Sequence, residues 1–199
     1  MLIRNALSQG DQRRLVKAID AVVKSAPFYQ PTMPKTGKPL SVRMTNAGKL
    51  GWVSDKVGGY RYQPLHPITG KPWPAIPKML VDLWVKYAGY PTGPEVCLIN
   101  HYEAGARMGS HQDRDEQDLA APVISISLGD DAVFHVGGRR REDPKERMTL
   151  HSGDVVVLGK AARLAYHGID RVFAGSSDLL PDGGRLNLTL RRVTPPTTP

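Results

Sequence analysis

The chain predicts an α+β domain that is mainly β, with helices towards its N-terminus and a sandwich or barrel behind them. Three observations lead there. Two segments carry apolar residues at helical spacing, and after Pro94 the chain breaks into short β-prone runs divided by Gly and Asp turns. At 199 residues and 40% hydrophobic composition it can also enclose a sizeable core. We therefore expect a single domain over 1–199.

Taken in order, MLIRNALSQG is too short and too polar for a secretory signal. From Asp11 to Ala26, Leu15, Ile19, Val22 and Val23 fall on one helical face. Residues 27–76, rich in Pro, Gly and aromatics, predict an irregular lobe with short strands in SVRMTNAGKLGW and GYRYQP. Residues 77–88 predict a second helix, with Pro77 suited to its first turn and Leu80, Leu83, Trp84 and Tyr87 as its apolar stripe. The β region, about 94–193, contains EVCLINHY, PVISISLG, AVFHVG, RMTLHSG, DVVVLG, RLAYHGI and RLNLTLRRV. Between two of these, GGRRREDPKER reads as a charged hairpin or loop, and TPPTTP (194–199) as a disordered tail.

Composition excludes two classes. A lone cysteine, Cys97, rules out an intramolecular disulfide scaffold, and no apolar run approaches the roughly 18 residues of a membrane span. A cytoplasmic monomer is expected. The 27 basic and 19 acidic residues leave a net +8, which suits a polyanionic partner and equally a solubility surface.

The chemistry concentrates in SHQDRDE, residues 110–116. In an extended segment alternate side chains share a side, so His111 and Asp113 can face one metal ion. Alone the H-x-D triplet is weak. Of the five other histidines, His66, His101, His135 and His151 suit ordinary half-buried roles, while His167 in RLAYHGI follows a β run and borders a glycine that permits a turn. His167 is the expected third ligand. Two histidines and one carboxylate on one face form the open site typical of non-haem Fe(II) oxygenases. A 2-oxo diacid filling two open positions needs a second anchor for its far carboxylate. In RLNLTLR, Arg185, Asn187, Thr189 and Arg191 alternate with leucines, so two arginines either meet anions inside or face water on an edge strand. Asn100 and Tyr102 in LINHYEAG share a strand side in the same way.

The ordered set Asn100-x-Tyr102, His111-x-Asp113, His167 and Arg185-x-Asn187 through Arg191 resembles the AlkB family of Fe(II)/2-oxoglutarate dioxygenases. The likeness runs from about Leu40 to Arg191, and MTNAGKLGW, KPWPAIP, LINHYEAGA, HQDRDE and RLNLTLR resemble segments of the bacterial members. It implies a double-stranded β-helix, or jelly roll, with a nucleotide-recognition lid drawn from residues 27–76. It further implies Fe(II) on His111, Asp113 and His167, and 2-oxoglutarate on Asn100, Tyr102, Arg185, Asn187 and Arg191, with O₂ as co-substrate. Trp52 would stack on an extruded base opposite His111, with Met44 and Tyr60 as neighbouring lid contacts, Asp115 at the base edge and Arg141 near the substrate. VSDKVGG holds one residue more than the family's spacing between Trp52 and Tyr60.

The implied activity is oxidative N-demethylation of nucleobases in DNA, with RNA as a further substrate, on single strands or flipped bases, releasing formaldehyde, succinate and CO₂. Two other classes fit parts of the sequence: a 2-oxoglutarate-dependent hydroxylase of a protein or small molecule, and a non-catalytic nucleic-acid-binding jelly roll. Trp52 also fits a hydrophobic plug between lid and core, and Asp115 a partner for Arg114 or a lysine.

Overall fold

The computed structural model describes residues 1–196. In chain order the elements are β1 (Leu2–Ile3), α1 (Gln9–Ser25), β2 (Arg43–Gly48), β3 (Gly51–Asp55), β4 (Gly59–Gln63), α2 (Lys78–Tyr87), β5 (Val96–Tyr102), β6 (Met108–His111), β7 (Val123–Gly129), β8 (Ala132–Val136), β9 (Glu146–Leu150), β10 (Val155–Leu158), β11 (His167–Val172) and β12 (Arg185–Arg191). Six strands form a sheet in the order β1-β10-β7-β12-β5-β2, and four form a second in the order β6-β11-β8-β9. The two sheets make the jelly-roll core. Among the described residues β3 and β4 pair only with each other, as a separate hairpin.

Strand β12 explains the layering. It lies between β5 and β7, and all seven of its residues are buried, so the edge-strand alternative is excluded. Leu186, Leu188 and Leu190 pack with Leu15, Ile19 and Val22 of α1 and Leu80, Leu83 and Trp84 of α2. The helices thus cover the outer face of the larger sheet. Met44, Leu98, Val123, Val156, Phe134 and Ile169 form a second apolar cluster, between the sheets. Because successive strand residues point to opposite faces, Arg185, Asn187, Thr189 and Arg191 are left on that inner side.

Several expected boundaries move, each for a local reason. Helix α1 begins at Gln9, because the Ser8 hydroxyl accepts from the Asp11 amide at 3.1 Å and caps the first turn. Pro77 is the N-cap of α2, not a first-turn residue, since its ψ of 134° is extended. The core reaches beyond 94–193: β2 pairs with β5 along its whole length, and the two-residue β1 adds to β10. The run RLAYHGI becomes strand only at His167, and β6, MGSH, was not anticipated as a strand. The basic stretch does connect two paired strands, β8 and β9. Thr194, expected in a disordered tail, is instead held in place, its amide and hydroxyl both donating to Glu95, at 2.8 and 2.9 Å; residues 197–199 lie outside the described residues.

Candidate metal centre and cosubstrate cavity

Register brings the three expected metal ligands together. His111 closes β6, His167 opens β11, and the two are directly paired across the strands. Gly168 does not turn the chain there. It sits inside β11, where a Cβ would lie 2.5 Å from the Met108 carbonyl oxygen and 2.8 Å from the His135 ring, so only glycine lets β6 and β8 approach from both sides. Asp113 follows β6 by two residues and turns inward, buried.

Both imidazoles are oriented alike. His111 Nδ1 lies 2.9 Å from the Gly109 carbonyl oxygen and His167 Nδ1 2.9 Å from that of Ala165. An Nδ1–H donated to each carbonyl leaves both Nε2 lone pairs free to ligate. Those Nε2 atoms lie 3.7 and 3.8 Å from the Asp113 carboxylate oxygens, and the three ligand atoms all fall within 4.8 Å of one another. Burial opposes ionisation of Asp113, but Arg191, His167 and His111 outweigh it and hold the carboxyl well below its ordinary range. Burial pushes His167 down to about 4, so its imidazole is neutral near neutral pH, as a ligand must be. The donor set suits Fe(II). The remaining histidines are engaged elsewhere: His66 with the Pro27 carbonyl, His101 with Arg43, His135 with Asp170 and His151 with Asp131.

A cavity of about 530 Å³ opens from this triad, and every site residue expected from the sequence lines it. At its inner end Arg185 is 1% exposed, with its guanidinium carbon 5.1 Å from the Tyr102 ring centroid. Its Nη2 donates to the Ser127 hydroxyl at 2.9 Å, while Nε and Nη1 have no partner among the described residues. Burial depresses its pKa, with Tyr102 only partly offsetting, so a buried cation lacks a counter-charge. A ligand carboxylate fits that vacancy in the hydrogen bonding. Asn187 donates to the Ser125 hydroxyl at 2.7 Å, and Asn100 Oδ1 is buried without a partner among the described residues.

Arg191 differs from Arg185. Its Nη2 donates to Asp113 at 2.8 Å and its Nη1 to Glu116 at 3.1 Å and the Tyr62 hydroxyl at 3.0 Å, leaving only Nε unpartnered. Protein carboxylates already meet most of the charge that the sequence pattern assigned to a ligand. Glu116 also accepts from Arg163 at 3.0 Å, and Arg163 donates to the Asp113 carbonyl at 2.6 Å. Tyr62, Glu116 and Arg163 were not foreseen; no periodicity marks them, since their partners lie tens of residues away.

At the outer end, Trp52 and Tyr60 of the hairpin stack on each other, centroids 5.5 Å apart and tilted 22°. The Trp52 indole N–H donates to Asp115 at 2.8 Å, so Asp115 is partnered by tryptophan and by neither Arg114 nor a lysine. Met44 is not on the hairpin: it sits on β2 in register with Asn100, 1% exposed. Arg141 lies over the Tyr166 ring at 5.1 Å on the cavity rim.

Residues 1–191 match the 2OG-Fe(II) oxygenase superfamily. An alpha-ketoglutarate-dependent dioxygenase AlkB homolog of Caulobacter vibrioides is 55% identical over 182 residues, covering 92% of this chain and 82% of that protein. The chain belongs to the AlkB group of this superfamily. The Escherichia coli AlkB dioxygenase is 45% identical over 197 residues, 97% of this chain and 89% of its own. The solved structure of OsALKBH1 superposes with a TM-score of 0.78 at 29% identity, covering 96% of this chain and 97% of that one. Two further relatives are named for substrates: a DNA N(6)-methyladenine demethylase of Arabidopsis thaliana, 31% identical over 96% of this chain and 48% of its own, and a tRNA demethylase of Schizosaccharomyces pombe, 30% identical over 79% and 57%. As an AlkB-type dioxygenase the chain uses Fe(II), 2-oxoglutarate and O₂, and its triad and unpaired Arg185 donors fit the first two. Among the described residues no helix is long and apolar enough to cross a membrane.

Proposed function

We propose that this dioxygenase removes N-alkyl groups from nucleobases in DNA or RNA. One observation carries the reading: a single cavity joins the His111–Asp113–His167 triad to a mouth built from Trp52, Tyr60 and Asp115, an aromatic face beside a carboxylate. Relatives named for DNA and tRNA demethylation support it. Bound Fe(II), 2-oxoglutarate and O₂ supply the oxidation, which yields succinate, CO₂ and a hydroxymethyl group that leaves nitrogen as formaldehyde. The chain's own residues position and exclude water. His111, Asp113 and His167 hold the metal, and Arg185 pairs with the far carboxylate of 2-oxoglutarate. Tyr102 packs beneath Arg185, and Asn100, Asn187 and Arg191 complete the inner wall. Trp52 gives a face on which a base can stack, with Met44 and Tyr60 beside it. The alkylated atom lies on the pairing edge of the base, so the base must be unpaired or flipped to enter. Turnover of 2-oxoglutarate, with formaldehyde release, should depend on methylated oligonucleotide; turnover unaffected by it would point to a protein or small-molecule substrate, and none under any condition to a binding module.

Asp115 should bias this activity towards cationic lesions. Methylation at N1 of adenine or N3 of cytosine makes the base cationic near neutral pH, whereas at N1 of guanine or N3 of thymine it leaves a neutral base. Asp115 is exposed at the open mouth, and a base stacked on Trp52 would cover it, so its carboxylate favours the former. Asp115→Asn keeps an acceptor for the Trp52 indole and removes only the charge. It should lower kcat/KM for 1-methyladenine and 3-methylcytosine about tenfold more than for the neutral lesions. Equal losses on both classes would assign Asp115 to holding Trp52 alone.

Arg139, Arg140 and Arg141, all exposed, lie in the β8–β9 loop. That loop is braced by the Arg140 amide on Asp143 at 2.9 Å and by Gln112, which donates to the Arg139 carbonyl at 3.2 Å. A braced basic loop on the rim suits phosphate contact. Replacing all three by Gln should flatten the log–log salt dependence of single-stranded oligonucleotide binding by about 2, at roughly 0.7 per phosphate contact. Metal and 2-oxoglutarate binding should stay as they are, and an unaltered slope would return the run to an ordinary solvated surface.

A further inference from the structure

Among the described residues the β3–β4 hairpin has no strand partner in either main sheet, so its placement over the cavity depends on one backbone bond, from the Thr32 amide to the Ser54 carbonyl at 3.2 Å, and on side-chain ties. Those of β3 run to the early part of the chain: Asn46 holds the Trp52 backbone at 3.0 and 3.1 Å, and Ser54 donates to the Thr32 carbonyl at 2.6 Å. Strand β4 is tied differently. The Tyr62 hydroxyl donates to Glu116 at 2.6 Å and accepts from Arg191 at 3.0 Å, and the same guanidinium donates to the metal-ligating carboxylate of Asp113 at 2.8 Å.

We propose that Tyr62 is a positioning residue that couples occupation of the metal centre to closure of the β3–β4 hairpin, through the buried chain Tyr62–Arg191–Asp113 with Glu116 as its second arm. The charges give the direction. Without metal, Asp113 and Glu116 balance Arg191 and Arg163, all four buried. With a divalent cation at the triad, the Asp113 carboxylate shares its charge between that cation and Arg191. Arg191 then leans on its remaining acceptors, Glu116 and the Tyr62 oxygen. Because the hydroxyl donates to one and accepts from the other, strengthening either bond polarises its partner. Metal occupancy therefore tightens the hairpin, and by linkage a closed hairpin tightens the metal by the same factor. Burial keeps the phenol protonated, so it remains a donor to Glu116 at all ordinary pH. A second link between hairpin and metal loop, Trp52 to Asp115, is exposed and lies outside this buried chain of hydrogen bonds. This coupling depends on metal binding and not on the choice of substrate, so it stands or falls independently of nucleobase demethylation.

The test is amide hydrogen exchange of the full chain, with and without Mn(II) and 2-oxoglutarate under nitrogen. In the wild type, addition should slow exchange across residues 51–63 as well as in β12. In Tyr62→Phe, β12 should still gain protection, while the metal-dependent gain in the hairpin falls on the order of tenfold, within the usual range of coupling between sites. Tyr60→Phe, which alters the mouth but not the buried chain, should keep the wild-type gain. Glu116→Gln, which keeps an acceptor for Tyr62 but weakens it, should show a smaller loss in the same direction. No metal-dependent protection of the wild-type hairpin, a full gain in Tyr62→Phe, an equal loss in Tyr60→Phe or an undiminished gain in Glu116→Gln would each overturn the coupling.

Discussion

His111→Ala, Asp113→Ala and His167→Ala should each abolish 2-oxoglutarate turnover, a fall of at least three orders of magnitude, because three ligands on one face leave no spare. They should differ in stability. His167→Ala removes a neutral imidazole bonded only to the Ala165 carbonyl, so the fold should survive with a small change in Tm. Asp113→Ala strips a buried carboxylate from Arg191 and leaves that guanidinium with Glu116 alone as counter-charge. Breaking a buried pair costs on the order of 3–5 kcal/mol, so this variant should melt well below the other two. Asp113→Asn retains the shape and should recover part of that stability without recovering turnover. Mn(II) titration by calorimetry separates ligand loss from unfolding. Wild-type metal affinity and activity in His167→Ala would remove it from the ligand set and turn attention to His135 or His151, although both now hold aspartates, at 2.7 and 2.8 Å.

How much of this could be read from the residues alone depended on range. Where one strand carried the signal it was legible: the alternation Arg185, Asn187, Thr189, Arg191 against three leucines required a two-faced strand, and the structure buries both faces. His111 and Asp113 were legible for the same reason, two residues apart in extended chain. His167 needed one long-range step, and register supplied it. What stayed hidden depends on several distant segments at once. Glu116 stands inside the same short motif as the metal ligands, yet its meaning comes from Tyr62, Arg163 and Arg191, which lie 54, 47 and 75 residues away. Strand β1 was hidden by its length, since two residues carry no periodicity. Met44 was hidden by its neighbourhood: it lies in a stretch whose composition suggests an irregular lobe, but hydrogen bonding to β5 places it in the main sheet.

The two arginines of β12, equivalent in the sequence pattern, should separate cleanly by mutation. Arg185 has two buried donors without partners and no protein carboxylate; Arg191 has Asp113 and Glu116. Arg185→Ala should therefore raise the 2-oxoglutarate KM by about two to three and a half orders of magnitude, from about 3–5 kcal/mol for an unpaired buried charge at about 1.4 kcal/mol per tenfold. Its affinity for Mn(II) without 2-oxoglutarate should match the wild type, because no metal ligand touches it. Removing an uncompensated cation should also leave Tm unchanged or higher in the absence of ligand. Arg191→Ala should behave in the opposite way, with weaker Mn(II) binding and a lower Tm even without cosubstrate, because Asp113 loses the donor that fixes its carboxylate towards the two imidazoles and the buried network loses the guanidinium that bridges Asp113 and Glu116. Arg185→Lys should recover only part of the cosubstrate affinity, since an ammonium keeps the charge but lacks the planar fork that meets both carboxylate oxygens. An Arg185→Ala enzyme with wild-type 2-oxoglutarate KM would mean that the far carboxylate binds elsewhere in the cavity.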